Sequence, residues 1–218
     1  MFSKEQKIIL ETIFDSPLNK IAAWGGGTAL SEIYLKHRQS EDIDIILDNL
    51  PPEIELTILT NRIKDKLKDS KKKSLVKMNR FQYVFEFENK KEQKLEFIYY
   101  PFIKLKPLKK LGKIKIESLL DIAVSKTLSA YQRKEIKDAF DLFVIFKENH
   151  FDLKELIRGV KKKFEEEIDA PTLLARLTKS LENFDSLTPL IIGKKYQQKE
   201  LINFFQEEFN KFLRQKDL

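Results

Sequence analysis

Asp42 and Asp44 stand two residues apart in a run that alternates acidic and apolar side chains, Asp42-Ile43-Asp44-Ile45. On an extended strand, residues two apart leave the same face, so the two carboxylates project side by side. Like charges a few ångströms apart repel by on the order of a few kcal/mol at an intermediate dielectric. A fold keeps such a pair when a cation lies between them or when one is protonated. The chain has no cysteine and two histidines, His37 and His150. That excludes disulfides and thiolate metal sites, and leaves a zinc site or a Ser-His-Asp triad little to draw on. A cation here would be hard and held by oxygen, magnesium (or manganese) before any other. A bare Asp-x-Asp is more often only the solvated face of a strand, so its surroundings decide.

Those surroundings begin upstream. Gly25-Gly26-Gly27-Thr28 follows a short apolar run at 21–24 and precedes a helix-like stretch at 28–36 with Leu30, Ile33 and Tyr34 along one side. Glycines let a backbone approach phosphate closely, while helix-start amides and the Thr28 hydroxyl supply donors. No Gly-Lys-Ser/Thr follows, so this is not a Walker-type loop. The strand at 42–47 then turns Ile43, Ile45 and Leu47 one way and Asp42, Asp44 and Ile46 the other. Turn and acids together describe a site that holds a triphosphate through its oxygens and its metal. A third acid is expected from a neighbouring strand. Glu96 breaks the apolar run 95–100 and fits that place, or is an ordinary ion-paired edge residue.

The rest of the chain must position these groups. Ile8, Ile9, Ile13 and Phe14 predict an amphipathic helix at about 4–15, closed by Ser16-Pro17. Pro51-Pro52 opens another, with Leu56, Leu59, Ile63 and Leu67 as its buried stripe. Strict alternation of Phe81, Tyr83, Phe85 and Phe87, a polar turn at 89–93 and the return at 95–100 predict a hairpin. From about Ile116 onward only helical patterns appear. The shift in composition at 104–115 marks a boundary: residues 1–112 form an α/β domain and 113–218 a helical one, an α+β arrangement overall. In the helical half, Lys126, Arg133, Lys137 and Asp141 would share a sector of roughly 80° on one continuous helix. Such a stripe could face the acids and neutralise phosphate, or be a set of solvated i, i+4 pairs such as Lys137 with Asp141.

Of 218 residues, 42% are hydrophobic and 34% charged, with a net charge of +7. The balance fits a folded protein that favours polyanions, nucleic acid first, or equally a lysine-rich solvated surface. The lysines at 64–77 pose the same choice, an acceptor-RNA surface or a solvated helix end, with the second favoured. No apolar run is long enough to cross a bilayer, and the opening MFSKEQKIIL carries an acid where a secretory leader would not. The expected location is the cytoplasm, with no membrane partner.

Taken in order, four stretches resemble the AbiEii/AbiGii-type nucleotidyltransferases of the DNA polymerase β-like superfamily. They are Gly25-Gly26-Gly27-Thr28-Ala29-Leu30; His37-Arg38-Gln39-Ser40-Glu41-Asp42-Ile43-Asp44; Leu95-Glu96-Phe97-Ile98-Tyr99-Tyr100-Pro101-Phe102; and Asp121-Ile122-Ala123 with Lys126, Arg133, Lys137-Asp138 and Asp141-Leu142. The resemblance runs from about residue 21 to 146. It implies a nucleotidyltransferase-fold mixed sheet flanked by helices and followed by an all-helical domain, an NTP donor and two catalytic metal ions. It assigns Asp42 and Asp44, with Glu96 as third carboxylate, to the metals, although the third position is more often Asp. Gly26, Gly27 and Thr28 fall to the phosphates and Lys126 to the triphosphate. Arg38 and Ser40 match an Arg-x-Ser pair that supports the metal strand and touches nucleotide; Asp138 and Asp141 match a second acidic motif. The implied reaction moves NMP from an NTP to an acceptor, RNA such as tRNA or a protein side chain, and several relatives are toxins paired with an antitoxin. The open alternatives are a protein-AMPylating enzyme, a catalytically silent nucleotide- or RNA-binding module, and an interaction protein built on the helical half.

Overall fold

A computed structural model of the chain describes residues 3–68, 70–148 and 151–214, so His150 lies outside the described residues. Helix α1 (Lys4–Phe14) starts at a capping box in which Ser3 and Gln6 satisfy each other's backbone amides. Strand β1 (Ala22–Gly25) leads into a four-residue helix α2 (Gly26–Ala29), and Leu30–Leu35 continues as a π-helical stretch. The helix expected at 28–36 is therefore a tight turn relayed into wider winding. Strand β2 (Ile43–Leu47) and helix α3 (Glu53–Lys66) follow.

The aromatic hairpin is present as β4 (Arg80–Phe87) and β5 (Glu92–Tyr99), with Phe81 opposite Phe97 and Tyr83 opposite Leu95. A third strand, β3 (Ser70–Lys77), pairs antiparallel to β4, so most of the lysine-rich stretch is an edge strand rather than a helix end. Lysine is common on such edges because its charge deters pairing with another chain. Two further short strands, β6 (Lys109–Leu111) and β7 (Ile114–Ile116), complete a seven-stranded sheet in the order β3-β4-β5-β2-β1-β7-β6. It is mixed: β2 runs parallel to β5 and β1 to β7, and the other pairs are antiparallel. One face buries Trp24, Ile43, Ile45, Leu47, Leu95 and Phe97; α1 touches β7 and α3, and α3 touches β3. The opposite face carries the acids.

Helices then follow to the end: α4 (Leu119–Gln132), α5 (Ile136–Lys147), α6 (Leu153–Phe164), α7 (Ala170–Ser180) and α8 (Gln198–Arg214). Phe140, Phe143, Phe146 and Phe205 fill their core, with the Phe143 ring edge-on to Tyr196 and Phe204 at 5.1 Å each. The stripe at 126–141 requires one continuous helix, and the chain instead breaks at 133–135, between α4 and α5. The chain divides into two compact units. One comprises Met1–Tyr34, Ser40–Phe102 and Pro107–Ser118; the other takes Leu119–Leu218 together with two excursions, Leu35–Gln39 and Ile103–Lys106.

Candidate active site

Within the sheet unit, strand register lines up the chemistry. Asp44 is the partner of Gly25 on one side and of Glu96 on the other. Asp42 lies two residues along the same face as Asp44, with its side chain 53% exposed and Lys94 Nζ 3.9 Å away. Glu96 is mostly covered, and Arg80 holds its carboxylate at 3.1 Å. The structure thus brings together Asp42, Asp44, Glu96 and the glycine turn on one face of adjacent strands.

The turn is packed directly against the acid. Gly26 has φ +70°, a left-handed conformation that favours glycine. A Cβ built on it would overlap the Asp44 carboxylate and lie 2.8 Å from Asp44 Cβ. Carbon atoms settle at about 3.5–4.0 Å, so only a residue without a side chain lets the turn come so near. Thr28 fixes the arrangement from the other side. Its buried hydroxyl donates to the Asp42 carbonyl, which leaves the Ser40 hydroxyl to donate to Thr28 Oγ1 at 2.8 Å. As placed, Thr28 and Ser40 tie the turn to the start of the acidic strand.

Sequence reasoning passed over Glu117, which follows β7. Because Trp24 pairs with Ile116 in parallel register, Glu117 falls beside Gly25. A Cβ on Gly25 would overlap its carboxylate. Glu117 is buried, and its backbone carbonyl accepts the Tyr34 hydroxyl at 2.8 Å. Burial, and then the Glu117 charge, push the Tyr100 hydroxyl up to about 12, with Arg80 opposing. The only sequence signal was an acid ending an apolar alternation; its place depended on a parallel pairing.

The remaining expected residues meet in the helical unit. Arg38 is fully buried and grips Asp141 with two parallel bonds, Nε to Oδ1 at 2.7 Å and Nη2 to Oδ2 at 2.9 Å. His37 Nε2 donates to Asp141 Oδ1 at 2.7 Å, while its buried Nδ1 has no hydrogen-bond partner among the described residues. Lys126 Nζ lies 2.7 Å from Asp141 and 2.8 Å from Asp138. Arg133 Nε reaches the other oxygen of Asp138 at 2.8 Å. Lys137 is exposed and stands apart; the i, i+4 pair with Asp141 does not form. Burial alone would raise the Asp141 pKa, but the charges of Lys126 and Arg38 hold it well below the carboxylate range. Burial likewise favours neutral Lys126, yet Asp141 and Asp138 outweigh it and raise its pKa. Asp141 and Lys126 thus form an ionic knot in which both stay charged in the neutral range.

Among the described residues no three acidic or histidine side chains form a ready-made metal cage. Two carboxylates suffice for magnesium, which completes its octahedron with water and substrate phosphates. Asp42 and Asp44 supply hard oxygens on one face, and the side-chain-free turn at Gly26 lies directly against the Asp44 carboxylate. The donor set fits the metal.

A mixed sheet with a glycine turn seated on an Asp-x-Asp strand is the arrangement of a nucleotidyltransferase fold. Solved structures agree. JHP933 from Helicobacter pylori superposes with a TM-score of 0.61 at 21% identity, covering 100% of this chain and 97% of that one. MenT4, a nucleotidyltransferase toxin from Mycobacterium tuberculosis H37Rv, gives 0.54 at 10% identity, over 94% and 80%. At such identities the likeness speaks for the fold alone. Residues 8–217 match the family described as nucleotidyl transferase AbiEii toxin, type IV TA system, and the chain belongs to that family. The resemblance drawn from the motifs is confirmed at this level. Nothing among the curated proteins matches. Among the described residues no helix is long and apolar enough to cross a membrane.

Proposed function

We propose that this protein transfers a nucleotide from an NTP to a hydroxyl of an RNA acceptor in the cytoplasm, as a toxin restrained by a cognate antitoxin. The observation that carries the reading is the contact between turn and acid, where Gly26 sits against Asp44 with no space for a side chain. In the reaction the acceptor oxygen bonds to the α-phosphorus, the bond to the β-phosphate oxygen breaks in line, and pyrophosphate leaves. Asp42 and Asp44 would hold magnesium (or manganese). Bound there, the metal would make the acceptor hydroxyl more acidic and offset charge on the leaving group.

The chain's own residues do the positioning. Gly26 and Gly27 let the backbone reach the phosphates. Thr28 holds the Asp42 carbonyl, and Ser40 holds Thr28, which fixes the acidic strand against the turn. Glu96, restrained by Arg80, flanks Asp44 and limits where its carboxylate can swing. Lys126 enters through Asp138 and Asp141, whose charges it balances, rather than through the phosphates.

The test incubates the full chain with Mg²⁺, each α-labelled NTP in turn, and total cellular RNA plus lysate. Label is expected on RNA and is expected to vanish in Asp42→Ala and Asp44→Ala, both of which should remain folded. Transfer retained in both variants would remove the metal role, and label on protein alone would replace RNA by a protein acceptor.

A further inference from the structure

The helical unit has a cleft of ≈ 620 Å³ lined by Gln132, Arg133, Lys134, Ala175, Arg176 and Lys179. Four of these six residues are cations and none is an acid. Elsewhere on this unit lysines meet carboxylates, as in Lys147–Glu200, Lys161–Glu167 and Lys211–Glu208. Here, among the described residues, no carboxylate pairs with Lys134, Arg176 or Lys179. Part of the clustering follows from helix ends: Lys179 lies in the last turn of α7, and Arg133 and Lys134 follow the last residue of α4. Cations there complement the helix dipole by about 0.3–1 kcal/mol each. The dipole does not explain why two such ends open onto one shared cleft whose lining holds no acid.

Both guanidinium groups are held in place. Arg133 is tied through Nε to buried Asp138 while its side chain stays 54% exposed. The Arg176 guanidinium lies over the Tyr131 ring, 5.4 Å from its centroid. Fixed planar forks of this kind suit phosphate oxygens, and the flexible lysines beside them can follow a chain of charges. We propose that this cleft seats the phosphodiester backbone of an RNA strand. The choice of RNA over other polyanions rests on the transferase reading above; the affinity of the cleft for a polyanion does not. The basic hairpin edge is the weaker candidate. Its hollow mixes Lys64, Lys68 and Lys71 with Asp65, Glu86 and Glu88, and Lys73 is already bound to Glu86.

The experiment measures binding of a fluorescein-labelled single-stranded RNA to the full chain by anisotropy over a salt titration, without NTP or Mg²⁺. Lys134→Ala/Lys179→Ala removes two exposed cations that the fold does not need. If each meets one phosphate, the slope of log K against log salt falls by about 1.4, and affinity near 0.1 M salt falls about 25-fold. Lys71→Ala/Lys73→Ala is expected to change neither. An unchanged slope in the cleft variant, or a loss confined to the hairpin variant, overturns the proposal. Poly-glutamate binding the cleft as tightly as RNA would overturn the assignment to RNA. Since no turnover is involved, absence of transferase activity leaves this result standing by itself.

Discussion

Replacing Gly26 by alanine tests whether closeness of turn and acid, rather than turn shape, carries activity. Two costs arise, and the structure separates them. The left-handed backbone alone costs an L-residue about 1–2 kcal/mol. With an unfolding entropy of about 0.46 kcal/mol/K for a chain of this length, that lowers Tm by roughly 2–4 °C. Gly112 and Gly193 share the positive φ, at +58° and +81°, but a Cβ on either meets nothing within 4 Å. Gly112→Ala and Gly193→Ala are therefore matched controls for the backbone cost. Gly26→Ala adds a clash that rotating Asp44 cannot relieve, because Asp44 Cβ itself would be 2.8 Å away. Turn and strand must separate by about 0.7 Å to reach ordinary carbon contact. Displacements near 1 Å can cost about 100-fold in rate. Thermal melts and labelled-NTP transfer, run on all three variants, should show the backbone loss in Gly112→Ala and Gly193→Ala, a larger Tm loss in Gly26→Ala, and a drop in kcat/KM of about that size in Gly26→Ala only. Equal activity in Gly26→Ala and Gly112→Ala would refute the reasoning.

Three further outcomes are expected. Asp141→Asn leaves Arg38 and Lys126 buried with one carboxylate fewer, a loss of about 3–5 kcal/mol or roughly 7–11 °C in Tm by melting; adding Lys126→Met should recover part of it, and a single variant melting within about 2 °C of the parent contradicts the knot. The Lys126 pKa is raised from 10.5, so its contribution is full below 10.5 and is lost as pH rises through the folded value, whereas Asp141, lowered well below 3.8, contributes above 3.8 and loses it as pH falls through its folded value. Tm against pH should thus fall at both extremes, and Asp141→Asn should flatten the acid limb; an unaltered acid limb counts against the assignment. Thr28→Val strips the donor from the Asp42 carbonyl and should cost about 1–3 kcal/mol together with activity, while Thr28→Ser keeps both; a Ser variant as impaired as Val would show that the methyl, not the hydroxyl, matters.

The strand and turn that carry Asp42, Asp44 and Gly26 were largely legible because their signals are local. Period-two alternation at Asp42–Ile45 and Phe81–Phe87, and a run of glycines after an apolar strand, report directly on strands and turns. What stayed hidden depends on pairing across distance. Strand β3 is an edge with little buried surface, so its lysines carried no alternation to read. Glu117 needed the parallel pairing of β1 with β7. The break at 133–135 has no proline or glycine to announce it, and the stripe seen on one helix turned out to be two helices folded back on each other. Arg38 pairs with a carboxylate 103 positions away, a partner no local pattern announces.

That separation has a consequence for biogenesis. Translation at about 5–20 residues per second delivers Arg38 and His37 roughly 5–20 s before the aspartate that will bond to them. Until then the segment has no destination of its own and must stay hydrated. A polypeptide beginning at Leu119 would carry the aspartate with Lys126 but without its guanidinium clamp, so the helical half taken as a contiguous piece would keep its buried carboxylate only partly compensated.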